Sequence, residues 1–173
     1  MIETTRLQLA PLTESDWPLF LQLHQLPEVT KLCFDPPSEL EVRAKFTERL
    51  IPWQPDSETP LCLTIRDKQS GELLGVTGFT CSLRTQAEVG YLLLPVSHGK
   101  GYATECLQAV IDWAWQQHGI ANYTAVVTEG NIGSMRVLEK CGFKTGPVVP
   151  NAYQIGGKSY ADHHFILSLG ERR

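Results

Sequence analysis

Between Leu61 and His118 the apolar spacing changes once, from strand-like alternation to helical spacing, and the change falls on a turn that carries two glycines. Leu61 to Asp67 and Glu72 to Cys81 read as strands joined by the turn Lys68-Gln69-Ser70-Gly71, and Glu88 to Leu94 reads as a third. Gly90 sits inside that third strand, where a glycine marks a bulge or a close backbone approach. From Gly101 to His118 the residues Ala103, Leu107, Val110, Ile111 and Ala114 follow helical spacing, with Glu105, Gln108 and Asp112 outside. Strands feeding a long amphipathic helix through a glycine turn require a mixed α/β arrangement.

The flanks extend that order. Arg6 to Leu12 alternates as a first strand, and Thr13, Ser15 and Asp16 offer caps for a helix that turns Trp17, Phe20 and Leu21 inward. A second helix is predicted over Ser38 to Leu50, with Leu40, Val42, Phe46 and Leu50 as its apolar stripe. After the long helix come a strand (Asn122 to Val127), a helix (Asn131 to Cys141) and two more strands (Phe143 to Val149 and Tyr160 to Leu169). That makes about seven strands and four helices. With 173 residues the expectation is one domain over 1–173, long enough to bury a core without a metal or disulfide staple.

Charge and cysteine content narrow the function. Fifteen Lys and Arg against nineteen Asp and Glu argue against a nucleic-acid-binding surface. The five cysteines (33, 62, 81, 106 and 141) are scattered, without the close pairs of a zinc site, so reduced thiols and no bound metal are expected. The first residues lack a signal peptide's apolar segment, and Asp112 interrupts the longest apolar run, so the expectation is a cytoplasmic protein without a membrane partner. His163 and His164 are strand neighbours that point to opposite faces and cannot chelate one ion together. Cys141 reads as a packing residue, and the helical Trp113 and Trp115 read as core or partner surface.

The segment Val96-Ser97-His98-Gly99-Lys100-Gly101-Tyr102-Ala103-Thr104-Glu105 carries most of the chemistry. Its glycines let the backbone curl so that successive N–H groups converge. The helix that follows adds unpaired donors and roughly half a positive charge, and together these suit a pyrophosphate. It is not a Walker loop, because Gly99-Lys100 lacks the upstream glycine and the following Ser or Thr; nor is it the dinucleotide fingerprint, since Thr104 takes the third glycine position. Taken alone, Gly-x-Gly before a helix fits an ordinary turn equally well.

Read together, several segments resemble one family. His98-Gly99-Lys100-Gly101-Tyr102-Ala103 is similar to the acetyl-CoA pyrophosphate motif Gln/Arg-x-x-Gly-x-Gly/Ala of the GNAT N-acetyltransferase superfamily. Asn131-Ile-Gly-Ser134-Met-Arg136-Val-Leu-Glu139-Lys140-Cys-Gly142-Phe143 resembles that family's Asn-x-x-Ser-x-x-x-x-Glu-Lys-x-Gly-Phe segment. Thr5-Arg6-Leu7, Pro11-Leu12-Thr13 and Ala87-Glu88-Val89-Gly90-Tyr91 are similar to its RimJ/RimL-like branch, which acetylates the N-termini of ribosomal proteins. The chain departs from the pattern twice: His98 replaces the leading Gln or Arg, and Leu138 stands where many members carry an acidic Tyr.

The resemblance implies a GNAT-like domain with a mixed, twisted sheet. The strand around Gly90 would part from the one near Ala121 to Val127, and the backbone of Leu92, Leu93 and Leu94 would pair with the pantetheine arm of acetyl-CoA. His98, Gly99, Lys100, Gly101, Tyr102, Ala103 and Thr104 would hold the pyrophosphate, and Asn131 would contact the arm. Asn131 is equally a favoured helix cap, with Ser134 in the first turn, and Arg136 could reach a CoA phosphate or simply lie exposed. Glu88 is the candidate base, since the acceptor amine must lose a proton before it attacks, and Ser134 is the candidate acid toward the departing sulfur. A solvated carboxylate on a half-buried strand is the plainer reading of Glu88. The expected reaction is direct acetyl transfer to a primary amine, most plausibly a protein N-terminal amine, by a monomer or homodimer. The alternatives are a polyamine or antibiotic acceptor, or a CoA-binding module without catalysis. Leu26 to Pro37 and the Val149 to Tyr160 connection are expected to flank the acceptor end.

Overall fold

The computed structural model describes residues 1–83 and 85–170. Its strands are β1 (Ile2–Glu3), β2 (Leu7–Pro11), β3 (Leu61–Asp67), β4 (Leu73–Leu83), β5 (Gln86–Leu93), β6 (Asn122–Thr128), β7 (Lys144–Ile155) and β8 (Lys158–Ser168). Its helices are α1 (Trp17–Gln25), α2 (Pro27–Thr30), α3 (Glu39–Arg49), α4 (Tyr102–His118) and α5 (Ile132–Lys140). The eight strands form one sheet in the order β1-β2-β3-β4-β5-β6-β8-β7, antiparallel except for the parallel pair β5 and β6. The strand and the helix beyond the predicted seven and four are β1, two residues paired with Gln8 and Leu9, and the single turn α2. Both are too short to leave a periodic signal.

The core lies on both faces of the sheet. One cluster joins Leu7, Leu9, Ile65 and Phe165 to Leu107, Val110 and Ile111 of α4 and Leu138 of α5. A second joins Cys62 and Val76 to Phe20 and Leu23 of α1 and Val42 and Phe46 of α3. β3 feeds both, Leu61, Leu63 and Ile65 to one and Cys62 to the other, because its side chains alternate across the pleat.

Two expectations are corrected. Leu40 is 81% exposed, because two residues before Val42 it lies on the far side of a helix whose buried pair is Val42 and Phe46. Of the two helical tryptophans, Trp113 packs against the core and Trp115, one position beyond the buried Ala114, lies at the surface. The connection expected between Val149 and Tyr160 is instead the far end of a hairpin, with Gly156 and Gly157 (φ 58° and 75°) as its two-residue turn. Pro147 and Pro150 break the alternation that would have revealed this strand. β7 tolerates them as an edge strand, with register shifts between Thr145 and Val148 and between Val149 and Tyr153.

Glycines set the middle of the sheet. A Cβ at Gly75 or Gly78 would collide with the carbonyl oxygen of Leu92 or of Leu61, so β4 approaches both of its neighbours at glycines. Gly90, opposite Gly78 in the register, has nothing within 4 Å of a would-be Cβ. It opens space where neither a bulge nor a close approach occurs.

Candidate active site

The parallel pair is brief. Gln86, Ala87 and Glu88 pair with Asn122, Tyr123 and Thr124, after which β5 and β6 separate while β6 stays paired with β8 as far as Thr128. Two chambers, of about 440 Å³ and 610 Å³, are lined in part by these strands and share part of their walls. Leu32, Cys33, Tyr91, Leu92, Asn131 and Ser134 belong to the walls of both, so these residues mark the passage between them.

The larger chamber ends at α4. Gly99 and Gly101 have φ of 73° and 80°, the left-handed conformation that turns the chain from β5 into the helix. The first helical bond runs from the Glu105 N–H to the Gly101 carbonyl, which leaves the earlier N–H groups of α4 outside the helical ladder. Ser97, His98, Gly99, Gly101, Tyr102, Ala103 and Thr104 line this chamber, together with Arg136 and Lys140 of α5. The Ser97 hydroxyl is buried in this wall without a hydrogen-bond partner among the described residues. Open backbone donors, an orphaned hydroxyl and the cations Lys31, Arg136 and Lys140, against the single carboxylate Glu28 among the described residues of the wall, fit a group with phosphate oxygens and amides.

A brace outside the chamber holds this turn. The Arg6 guanidinium donates to Glu105 at 2.7 Å and to the Lys100 carbonyl at 2.9 Å, and lies 4.4 Å over the Tyr102 ring. Thr4 Oγ1 donates to the other Glu105 oxygen at 2.6 Å, and the Tyr102 hydroxyl donates to Asp67 at 3.0 Å. Burial raises the Glu105 carboxyl, but the bonds from Thr4 and Arg6 outweigh it and hold the group below its usual range. The N-terminal arm is thus tied to the start of α4, a role for Arg6 and Glu105 that the spacing of α4 did not reveal.

The predicted contacts of β5 divide by strand alternation. The Leu94 N–H bonds the Leu74 carbonyl, so Leu92 and Leu94 direct their backbone groups to β4, and Tyr91 and Leu93 direct theirs to the gap. Leu92 and Leu93 line the larger chamber; Leu94 does not. His98 Nε2 donates to the Leu93 carbonyl at 2.9 Å, which engages that imidazole with the strand edge. Lys100 lies outside the wall, with its carbonyl held by Arg6.

At the passage, Asn131 caps α5 through a bond from the Ser134 N–H to its side-chain oxygen at 3.3 Å. The Tyr91 hydroxyl donates to the Ser134 carbonyl at 3.1 Å. Burial raises the Tyr91 phenol well above its usual value, so it stays protonated and a donor. Cys33, also at the passage, is raised by burial, and burial pushes Cys62 and Cys106 to about 12 and Cys141 to about 11. These thiols are poor nucleophiles near neutral pH.

Glu88 is exposed to the smaller chamber, opposite Thr80 on β4 and Thr124 on β6. Phe20 and His24 of α1, Phe34, and Lys45 and Arg49 of α3 form another part of that wall. The predicted segment Leu26 to Pro37 contributes Leu32, Cys33 and Phe34. Tyr153 of the other predicted segment is not in the wall. The turn of that hairpin meets Asp35, next to Phe34 in the chain, where the Gly156 N–H donates to the Asp35 carboxylate at 2.7 Å; neither residue lines a chamber. Leu138 is buried in the core and lines the smaller chamber, so no phenol occupies that position on α5.

Residues 6–144 match the model of the acetyltransferase (GNAT) domain, and the chain belongs to that family. The Bacillus subtilis (strain 168) protein YjcK, assigned as an N-acetyltransferase, is 36% identical over 83 residues, 48% of this chain and 45% of its own; the chain thus matches about half the length of that curated relative. A spermidine N-acetyltransferase from Vibrio cholerae, solved with CoA and spermine, superposes with a TM-score of 0.84 at 17% identity, over 97% of this chain and 98% of its own. Another Vibrio cholerae structure, assigned as a ribosomal-protein-serine acetyltransferase, superposes with a TM-score of 0.76 at 21% identity, over 96% of both chains. At these identities the two structures establish the fold.

Proposed function

We propose that this protein transfers the acetyl group of acetyl-CoA directly to a primary amine. The observation that carries the reading is the meeting of two unlike chambers at Ser134 and Tyr91, one beneath the glycine turn of α4 and the other holding Glu88. Bound acetyl-CoA supplies an activated thioester; everything else is asked of the chain. The backbone donors of α4, Ser97, Arg136 and Lys140 bind the phosphates and arm, and the strand edge at Tyr91 and Leu93 orients the arm toward the passage. Glu88 takes a proton from the acceptor amine. The neutral amine then attacks the thioester carbon; the C–N bond forms as the C–S bond breaks, the nitrogen's surplus proton passes to the leaving sulfur, and the Ser134 hydroxyl donates a hydrogen bond to that sulfur. Holding the two reactants at one passage supplies much of the rate. The raised thiols favour direct transfer over an acyl-cysteine.

The acceptor in this reading is a protein N-terminal amine, and the chain is a RimJ/RimL-like enzyme working in the cytoplasm. The Thr5-Arg6-Leu7 and Ala87 to Tyr91 segments support that branch, as does the likeness to the ribosomal-protein-serine acetyltransferase structure. The test is thiol release from acetyl-CoA with N-terminal peptides, spermidine and an aminoglycoside as acceptors, beside a thermal-shift titration with CoA. Release with a peptide amine supports the reading. A CoA-dependent shift without release from any acceptor would mark a binding module instead.

A further inference from the structure

Besides Glu88, the acceptor chamber has a cationic part of its wall. Lys45 and Arg49 lie four residues apart, on one face of α3. Lys45 Nζ is 5.8 Å from the centroid of the Phe34 ring, and the Arg49 guanidinium carbon is 6.0 Å from that of the Phe20 ring; both rings belong to the same wall. Between them sits His24, with its ring against Phe20 and Phe34 and its Nδ1 bonded to the Phe20 carbonyl at 2.8 Å. Burial, and then the Lys45 and Arg49 charges, hold this imidazole below its usual value, so it is neutral near pH 7. Among the described residues of the wall, Glu88 is the single carboxylate against two permanent cations. Arg49 also reaches the Lys45 carbonyl at 3.1 Å and the exposed Glu48 at 3.5 Å, both through Nη1, leaving further guanidinium donors available.

A polyamine placed with one amine at Glu88 would bring its remaining charges to Lys45 and Arg49, an arrangement opposed by like-charge repulsion. We infer that the acceptor is an amine that also carries an anionic group, a carboxylate above all, with the amine at Glu88 and the anion at Lys45 and Arg49. This rests on the acetyl-transfer reading and sharpens it by naming the acceptor class. Two sources share the chemistry: a polypeptide N-terminus with an acidic residue next to it, and a free acidic amino acid.

The experiment measures kcat/KM for thiol release from acetyl-CoA with peptide amides beginning Ala-Glu, Ala-Gln and Ala-Lys, with free glutamate, and with spermidine. The same compounds are titrated by thermal shift in the presence of saturating CoA. Wild type is expected to favour Ala-Glu over Ala-Lys by about tenfold in both readouts. Lys45→Gln and Arg49→Gln should each reduce that ratio severalfold, and Lys45→Glu should reverse it, while the CoA shift in the absence of acceptor stays as in wild type. Free glutamate matching Ala-Glu would identify a small amino acid as the source, and a response confined to the peptide would identify a chain terminus; each supports the inference. Equal responses to Ala-Glu and Ala-Lys, preference for spermidine, or a ratio unchanged in all three variants would overturn it. Absence of thiol release with every amine would reject acetyl transfer, and the thermal-shift ratio would still decide the charge preference.

Discussion

The two chambers are walled in contrasting ways. The one beneath α4 takes its end wall from the glycine turn and the first residues of α4, 97–99 and 101–104, with α5, the end of β5 and residues from Glu28 to Cys33 alongside. The one around Glu88 is built from side chains that arrive from α1, the segment after α2, α3, β4, β5 and β6. The difference follows from what each must recognise. Phosphate oxygens are satisfied by N–H groups and a helix dipole, which depend on local backbone geometry more than on side-chain identity. An acceptor is distinguished by its own charge and shape, which only side chains from separate elements can match.

Substitutions should separate the chambers in graded steps. Gly101→Glu should have the largest effect on the chamber beneath α4. The position needs φ of 80°, its Cβ would lie 3.4 Å from Arg6 Nη2, and the new carboxylate would repel a pyrophosphate. Wild type should gain about 2.7 kcal/mol of stability at CoA concentrations ~100 times Kd, and the variant should gain none in a thermal-shift titration. Tyr91→Phe tests the shared wall, since it removes the bond to the Ser134 carbonyl. Denaturant unfolding should show a loss of about 1 kcal/mol, and both CoA affinity and acceptor KM should worsen. A change in only one of them would show that the chambers do not share this wall functionally.

The smallest effect concerns the brace. The Glu105 carboxyl is held below its usual range in the folded protein, so its contribution is present above about pH 4.3, the unfolded value, and is lost as the pH falls through the folded value. Glu105→Gln should therefore cost about 0.5 kcal/mol at neutral pH and flatten the fall of melting temperature in acid. Equal acid sensitivity in the variant would remove Glu105 as a source of that dependence.

Legibility in the sequence follows the same division. The glycine turn, α4 and the Asn131 cap announce themselves because each depends on local backbone geometry or on a stripe of a single helix. The brace from Arg6 to Glu105 spans almost a hundred residues, and no local period records it. Lys45 and Arg49 read as ordinary solvated charges until α3 is placed beside Phe34 and His24. Pro147 and Pro150 obscure an edge strand, which makes the last hairpin look short in sequence, and Leu40 extends an apparent stripe on α3 of which only Val42 and Phe46 are buried.

The claim that thioester and amine meet beside Glu88 is tested most directly by the pH dependence of turnover for wild type, Glu88→Gln and Ser134→Ala with acetyl-CoA saturating. Glu88→Gln keeps size and most hydrogen bonding but cannot accept a proton. Its turnover should fall about 10²–10⁴-fold and recover in part as the pH rises through the acceptor's own value, near about 8 for an α-amine. Ser134→Ala should show a smaller loss that rising pH does not repair, because a thiol that ionises at about 8.5 can leave as thiolate. Near-normal turnover of Glu88→Gln across the whole range, with CoA still bound, would contradict the meeting of amine and thioester at this carboxylate.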